Sequence, residues 1–155
     1  MDAEQAMTRE VLLVQPDLGL DVAHRIMRRH RIRHLLVARG GALIGVLSDR
    51  DVLVRARSGP TGDVVVPSVP VREAMTPGPV TCEPGVPVST LARMMVELKI
   101  DAIPVVRAGC VVGLVTSTDL LLLLTDRTTI ETMPFKFELA NACEDDWLSD
   151  GGAGS

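Results

Sequence analysis

Aromatic side chains are scarce in this sequence. Of its 155 residues, 2% are aromatic: two phenylalanines, one tryptophan and no tyrosine. Base-stacking platforms for single-stranded nucleic acid are therefore disfavoured, and the core must be aliphatic. Cysteine is also rare. Cys82, Cys110 and Cys143 form no CxxC pair. Cys82 and Cys110 lie in apolar, strand-like contexts and read as small buried hydrophobes. An odd count without a signal peptide points to a reducing compartment. Long apolar runs are missing as well, and none approaches the ~20 residues of a membrane span. A soluble, cytoplasmic protein is expected. Nor is there a basic excess: the net charge of −4 argues against nucleic-acid binding by overall charge. The chain shows no nucleophile–base pair, phosphate loop or metal set, so an enzyme is not indicated.

What is present is aliphatic residue and uneven charge. Apolar residues make up 46% of the chain, enough for one compact domain or two small units sharing a core. Arg25, Arg28, Arg29, Arg31, Arg33 and Arg39 crowd one region with His24, His30 and His34. This run reads as a solvated helix face, a phosphate-facing rim or a partner patch. The helix should end before His34, so His30 and His34 need not share a face. No carboxylate or thiol is placed to complete a metal site with them. The last thirty-one residues carry seven acids against Arg127 and Lys136.

The sequence repeats. Shifted by 68, it aligns with itself without a gap, giving 13 identities over the 51 positions that pair 6–56 with 74–124. Ala6-Met7-Thr8 meets Ala74-Met75-Thr76, Pro16 meets Pro84, Gly45 meets Gly113 and Asp51 meets Asp119. Each copy starts with a short extended piece, Val11–Val14 or Pro79–Cys82, that ends at a proline. An amphipathic helix follows. Ala23, Ile26, Met27 and His30 share one face in the first copy, and Leu91, Met94, Met95 and Leu98 share the matching face in the second. Its methionines read as core filling. A hairpin comes next, spanning His34–Ala38 and Ala42–Ser48, then Ile103–Arg107 and Cys110–Thr116 in the second copy, with glycine in the turns. These strands are apolar at nearly every position, so both faces should be covered. A last helix runs from Asp49 to Arg57 and from Ser117 to Asp126. The fold class is α+β, a strand-helix-strand-strand-helix unit made twice. Expected boundaries are 5–57 and 71–125. A Gly/Pro-rich linker, 58–70, joins the units, and a partly disordered tail fills 126–155.

The triplet AMT at 6–8 and 74–76, the prolines at 16 and 84, and the cores HLLV (34–37) and IPVV (103–106) recur in order. With the closing motifs GVLSDRD (45–51) and GLVTSTD (113–119), they make the chain resemble a tandem pair of cystathionine beta-synthase (CBS) domains over about residues 5–125. The resemblance implies two units packed through their sheets with pseudo-twofold symmetry, a stand-alone Bateman-type module. It further implies a cleft for an adenosine-containing ligand (AMP, ADP, ATP or S-adenosylmethionine), dimerisation into a disc, and a regulatory role without an obligatory cofactor.

The pattern Thr116-Ser117-Thr118-Asp119 has two explanations. One is a capping box, in which the hydroxyl and the carboxylate close the first turn of a helix between them. Ser48-Asp49-Arg50-Asp51 fits the same pattern. The other is ligand binding. A ribose offers neighbouring hydroxyls to an ionised carboxylate, and a threonine three residues earlier can bond ribose or phosphate. The resemblance implies this second role. It also implies an adenine slot at Val80, Thr81, Ala102, Ile103 and Pro104 in the second copy, matched by Leu12, Leu13, His34, Leu35 and Leu36 in the first. There Leu13 stands in place of the hydroxyl residue and Leu36 in place of the proline, so the Asp119 site ranks first on slot chemistry. Arg50, Arg33 and His34 give the Asp51 site the better phosphate ligands.

Leu120–Leu124 puts five leucines on the last helix, and Val52, Leu53 and Val54 echo them. One helix cannot bury every face in a small unit, so these helices are expected to form a homodimer contact. Phe135, Phe137 and Trp147 in the tail can dock on the module or on a partner. The leading expectation is a regulatory sensor acting on a separate target protein. Its alternative is a ligand-free interaction module using the arginine cluster or the tail.

Overall fold

Two antiparallel hairpins organise the chain, and short pieces from elsewhere flank each of them. The computed structural model describes residues 1–125. Along the chain run α1 (Ala3–Ala6), β1 (Leu13–Val14), α2 (Leu20–His30), β2 (His34–Arg39), β3 (Ala42–Ser48) and α3 (Asp49–Arg55). Next come β4 (Arg57–Ser58), β5 (Val64–Val65), a 3-10 turn at Val71–Glu73 and β6 (Thr76–Pro77). The order closes with α4 (Val88–Leu98), β7 (Ala102–Arg107), β8 (Cys110–Thr116) and α5 (Ser117–Leu122). The tail residues singled out above lie outside the described residues. No helix among the described residues is long and apolar enough to cross a membrane.

The chain divides into two compact units, which cut across the sequence repeats. One is Leu12–Pro79. The other joins Met1–Val11 to the described residues 80–125. The opening segments cause this. In the first unit the strand order is β1-β2-β3-β6, with β1 parallel to β2 and the other pairs antiparallel. Thr76 of the second AMT triplet pairs with Val46 of the first hairpin. In the second unit Cys82 bridges Val105 in parallel, and Thr8 of the first triplet bridges Leu114 in antiparallel fashion. Each triplet thus completes the hairpin of the other repeat.

Glycine makes that exchange possible. A β-carbon on Gly113 would lie 2.8 Å from Met7 Cγ and 3.0 Å from the Thr8 carbonyl. On Gly45 it would lie 3.0 Å from Met75 Cγ and 3.1 Å from the Thr76 carbonyl. The two copies use one device: a bare backbone on the hairpin lets a methionine-bearing strand approach closely.

The helices end alike as well. Arg31 and Lys99 adopt left-handed conformations, with φ of 53° and 55°. The next amide reaches back five residues: Ile32 N–H donates to the Met27 carbonyl at 3.0 Å, and Ile100 N–H to that of Met95 at 3.1 Å. This is a Schellman closure whose apolar contact is Ile with Met. Leu20, Ala23 and Met27 bury one stripe of α2 against Leu35, Val37, Leu47 and Val52. In the second unit, Leu91 and Met95 pack with Ile103, Val105 and Val115, and with Ala3 and Met7 from the N-terminal segment. Burial pushes the Cys82 thiol up, and this suits an unreactive core filler.

Residues 58–70 are more ordered than a Gly/Pro linker suggests. Part of the segment forms the β4–β5 hairpin, in which Arg57 pairs with Val65 and Ser58 with Val64. Val69 and Val71 then tie the chain back to Leu20 and Leu18 through main-chain hydrogen bonds of 2.8 Å.

Candidate ligand-binding site

Hairpin register gathers the polar residues of each repeat at one end. His34 faces Ser48 in the first unit, and Ala102 faces Thr116 in the second. The strand therefore stops where the helix begins. Asp49 N–H donates to the Arg33 carbonyl at 2.9 Å, and Ser117 N–H to the Asp101 carbonyl at 2.9 Å.

Both helix starts are complete capping boxes. In the first, Asp51 N–H donates to Ser48 Oγ at 3.1 Å while Ser48 N–H donates to Asp51 Oδ2 at 2.8 Å. In the second, Asp119 N–H donates to Thr116 Oγ1 at 3.2 Å, and Thr116 N–H donates to Asp119 Oδ2 at 2.7 Å. The Thr116 hydroxyl also donates to Asp119 Oδ2 at 2.8 Å. The structural explanation of the motif therefore holds in both copies. It does not use up the carboxylate. Asp119 Oδ1 accepts from the Thr8 hydroxyl at 3.2 Å, and a carboxylate has about four lone-pair positions in all.

Thr8 is the residue that sequence reasoning missed. Its triplet was visible as a repeat, but nothing in a linear reading places it beside the helix of the other copy. It is held there by paired main-chain bonds with Leu114, both 2.9 Å. Further back, Glu4 reaches Arg107 at 2.7 Å and Arg9 at 3.7 Å. The Arg107 hydrogen bond holds the Glu4 carboxyl below its ordinary value.

The remaining predicted residues fall into three groups. Thr116, Ser117 and Asp119 are half-buried at the start of α5, with Thr118 exposed beside them. Val80 and Thr81 are exposed just before Cys82, whose N–H donates to the Pro104 carbonyl at 3.0 Å. Ala102 is half-buried, but Pro104 is buried and Ile103 sits wholly within the core. In the first unit Leu35 likewise belongs to the core. The Ile103 and Leu35 side chains thus face the aliphatic interior, and these residues can offer a ligand only their main chain. His34 is half-buried, while Arg33 and Arg50 are exposed. Arg33 Nε lies 3.5 Å from Asp49 Oδ2, a surface pair worth little by itself. Each site thus combines acceptors, hydroxyls and main-chain groups, suited to holding a polar ligand.

Comparison with known proteins gives a consistent result. The profile described as "CBS domain" matches residues 3–57 and 71–126. Inosine-5'-monophosphate dehydrogenase of Korarchaeum cryptofilum is 35% identical over 118 residues, covering 76% of this chain but 23% of that protein. The CBS domain-containing protein YhcV of Bacillus subtilis is 29% identical over 118 residues, covering 76% of this chain and 81% of its own. Among solved structures, a conserved protein of Pyrococcus horikoshii is 26% identical with a TM-score of 0.69, over 81% of this chain and 93% of that one. The CBS domain pair of protein MJ0100, in complex with 5'-methylthioadenosine and S-adenosyl-L-methionine, shares the fold at 24% identity and a TM-score of 0.68, over 80% and 95% of the two chains.

Proposed function

Since the chain belongs to the CBS-domain family, whose pairs are regulatory ligand-binding modules, we propose that it is a sensor of an adenosine-containing ligand. The observation that carries this reading is the Asp119 carboxylate. It is half-buried and fixed by Thr116, and its Oδ1 meets only the Thr8 hydroxyl among the bonds described above. Asp119 would take the ribose hydroxyls, with Thr116, Ser117 and Thr118 beside it for ribose or phosphate. Val80, Thr81 and the main chain of Ala102–Pro104 would hold the adenine. The Asp51 site, with Ser48, Asp49, Arg50, Arg33 and His34, is a second candidate richer in cations. The MJ0100 complex supports the ligand class, because its CBS pair holds two adenosine compounds. The chain itself would act without catalysis, in the cytoplasm, on a separate target.

A thermal-shift screen against AMP, ADP, ATP, 5'-methylthioadenosine and S-adenosylmethionine tests the reading. A ligand at 100 times its dissociation constant adds about 2.7 kcal/mol to stability, a rise of several degrees in Tm. No rise with any of the five would favour the second reading, an interaction module in which the two complete capping boxes serve folding alone.

The apolar helix faces support self-association. Leu53 and Val54 on α3 are 57% and 78% exposed, and Leu121 and Leu124, on and just after α5, are 63% and 84% exposed. A homodimer that covers these faces is the expected state. Sedimentation should give twice the chain mass, and the mass of one chain would contradict the assignment.

A further inference from the structure

The Asp119 carboxylate has fewer free positions than a ribose needs. A carboxylate offers about four lone-pair positions, and among the described residues three donors already use them. Oδ2 accepts from Thr116 N–H at 2.7 Å and from the Thr116 hydroxyl at 2.8 Å, and Oδ1 accepts from the Thr8 hydroxyl at 3.2 Å. About one position is left, on Oδ1. A vicinal diol that donates twice to this carboxylate therefore has to displace one of the three.

The three bonds are not equally easy to break. Thr116 is half-buried, and its N–H bond to Asp119 is half of the capping box that starts α5. Breaking it opens the helix start and leaves a half-buried donor without its acceptor. The Thr8 bond is the longest of the three. Its donor is exposed, so water can replace Asp119 as the acceptor. The paired main-chain bonds to Leu114, both 2.9 Å, hold Thr8 in place while its hydroxyl turns. Turning it away clears Oδ1 for a ligand and leaves the helix start intact.

We propose that Thr8 is an internal competitor for ribose at the Asp119 site and sets its affinity, an inference that rests on the sensor reading above. In the empty site the Thr8 hydroxyl occupies Oδ1. A ribose ligand takes Oδ1 and turns that hydroxyl out to water. A deoxyribose ligand, with one hydroxyl to give, uses the free position and leaves Thr8 where it is. Thr8 thus weakens ribose binding selectively and narrows the preference for ribose over deoxyribose.

Calorimetric titration of Thr8→Val and Thr8→Ser tests this. Both are made in an Asp51→Ala parent, so that the heat comes from the Asp119 site. The probes are adenosine, AMP and ATP, each beside its 2'-deoxy counterpart. Valine keeps the branched shape and the main-chain bonds of Thr8 and removes only the donor. Thr8→Val should bind the ribose compounds about tenfold more tightly than the parent, the effect of one hydrogen bond to a charged group. Its affinity for the 2'-deoxy compounds should not change. Thr8→Ser, which keeps the hydroxyl, should match the parent on both series. A change shared equally by both series would make Thr8 a structural residue and overturn the proposal. So would a ribose affinity that Thr8→Val leaves unchanged, or one that it weakens, which would make Thr8 a ligand contact. Binding to the wild type but not to the parent would overturn the proposal and spare the sensor reading. Binding of none of the six compounds to either protein would overturn both.

Discussion

Deleting residues 1–11 is expected to strip hydrogen-exchange protection from β7 and β8 before it touches β2 and β3. The deletion removes the opening segment of the first repeat, yet it dismantles the unit of the second. Ala3 and Met7 leave that unit's core. The loss of one buried methionine side chain costs about 2–5 kcal/mol. Thr8 leaves the edge of β8 with both of its 2.9 Å bonds, and the Ala3 and Glu4 amides leave the Val86 and Pro84 carbonyls, 2.8 and 3.0 Å away. Those losses approach the total stability of a typical domain, about 5–15 kcal/mol. The first unit draws its own closing strand from Thr76–Pro77, so residues 34–48 should keep their protection. Greater loss in β2–β3 than in β7–β8 would show that the opening triplet serves its own repeat.

That exchange marks the limit of what the sequence discloses. The hairpins, both long helices and the repeat itself are legible because they rest on local signals. These are aliphatic runs broken by glycine turns and apolar spacing at three and four residues. Which repeat an opening triplet joins is a tertiary choice with no local signature, so Thr8 stays hidden although the triplet is conspicuous. The β4–β5 hairpin is masked by the glycines and prolines around its paired valines. Ile103 and Leu35 show a further limit. In a strand apolar at nearly every position, alternation cannot say which side chains face the helices. Slot residues chosen by correspondence therefore include Ile103, Leu35 and Leu36, whose side chains are buried in the core.

Asp119→Ala is the substitution with the largest expected effect on binding. It removes the acceptor for Thr8 Oγ1 and for both donors of Thr116. As the loss of half a capping box at a half-buried helix start, this should cost about 1 kcal/mol of stability, and the protein stays folded. The effect on a ribose-bearing ligand is larger. Two hydrogen bonds to a charged acceptor contribute about 1.5–3 kcal/mol each. Their loss weakens binding by on the order of 100-fold or more. Asp51→Ala should leave the Asp119 site intact and serves as the matched control, because it too removes one capping carboxylate.

The decisive measurement is a calorimetric titration of wild type, Asp119→Ala and Asp51→Ala with whichever adenosine compound raises the melting temperature most. The sensor account predicts saturable binding to the wild type, lost or weakened on the order of 100-fold in at least one of the two aspartate variants, while both variants remain folded. Equal affinity in all three proteins would mean that neither carboxylate touches the ligand, and would leave Thr116-Ser117-Thr118-Asp119 as the start of a helix alone.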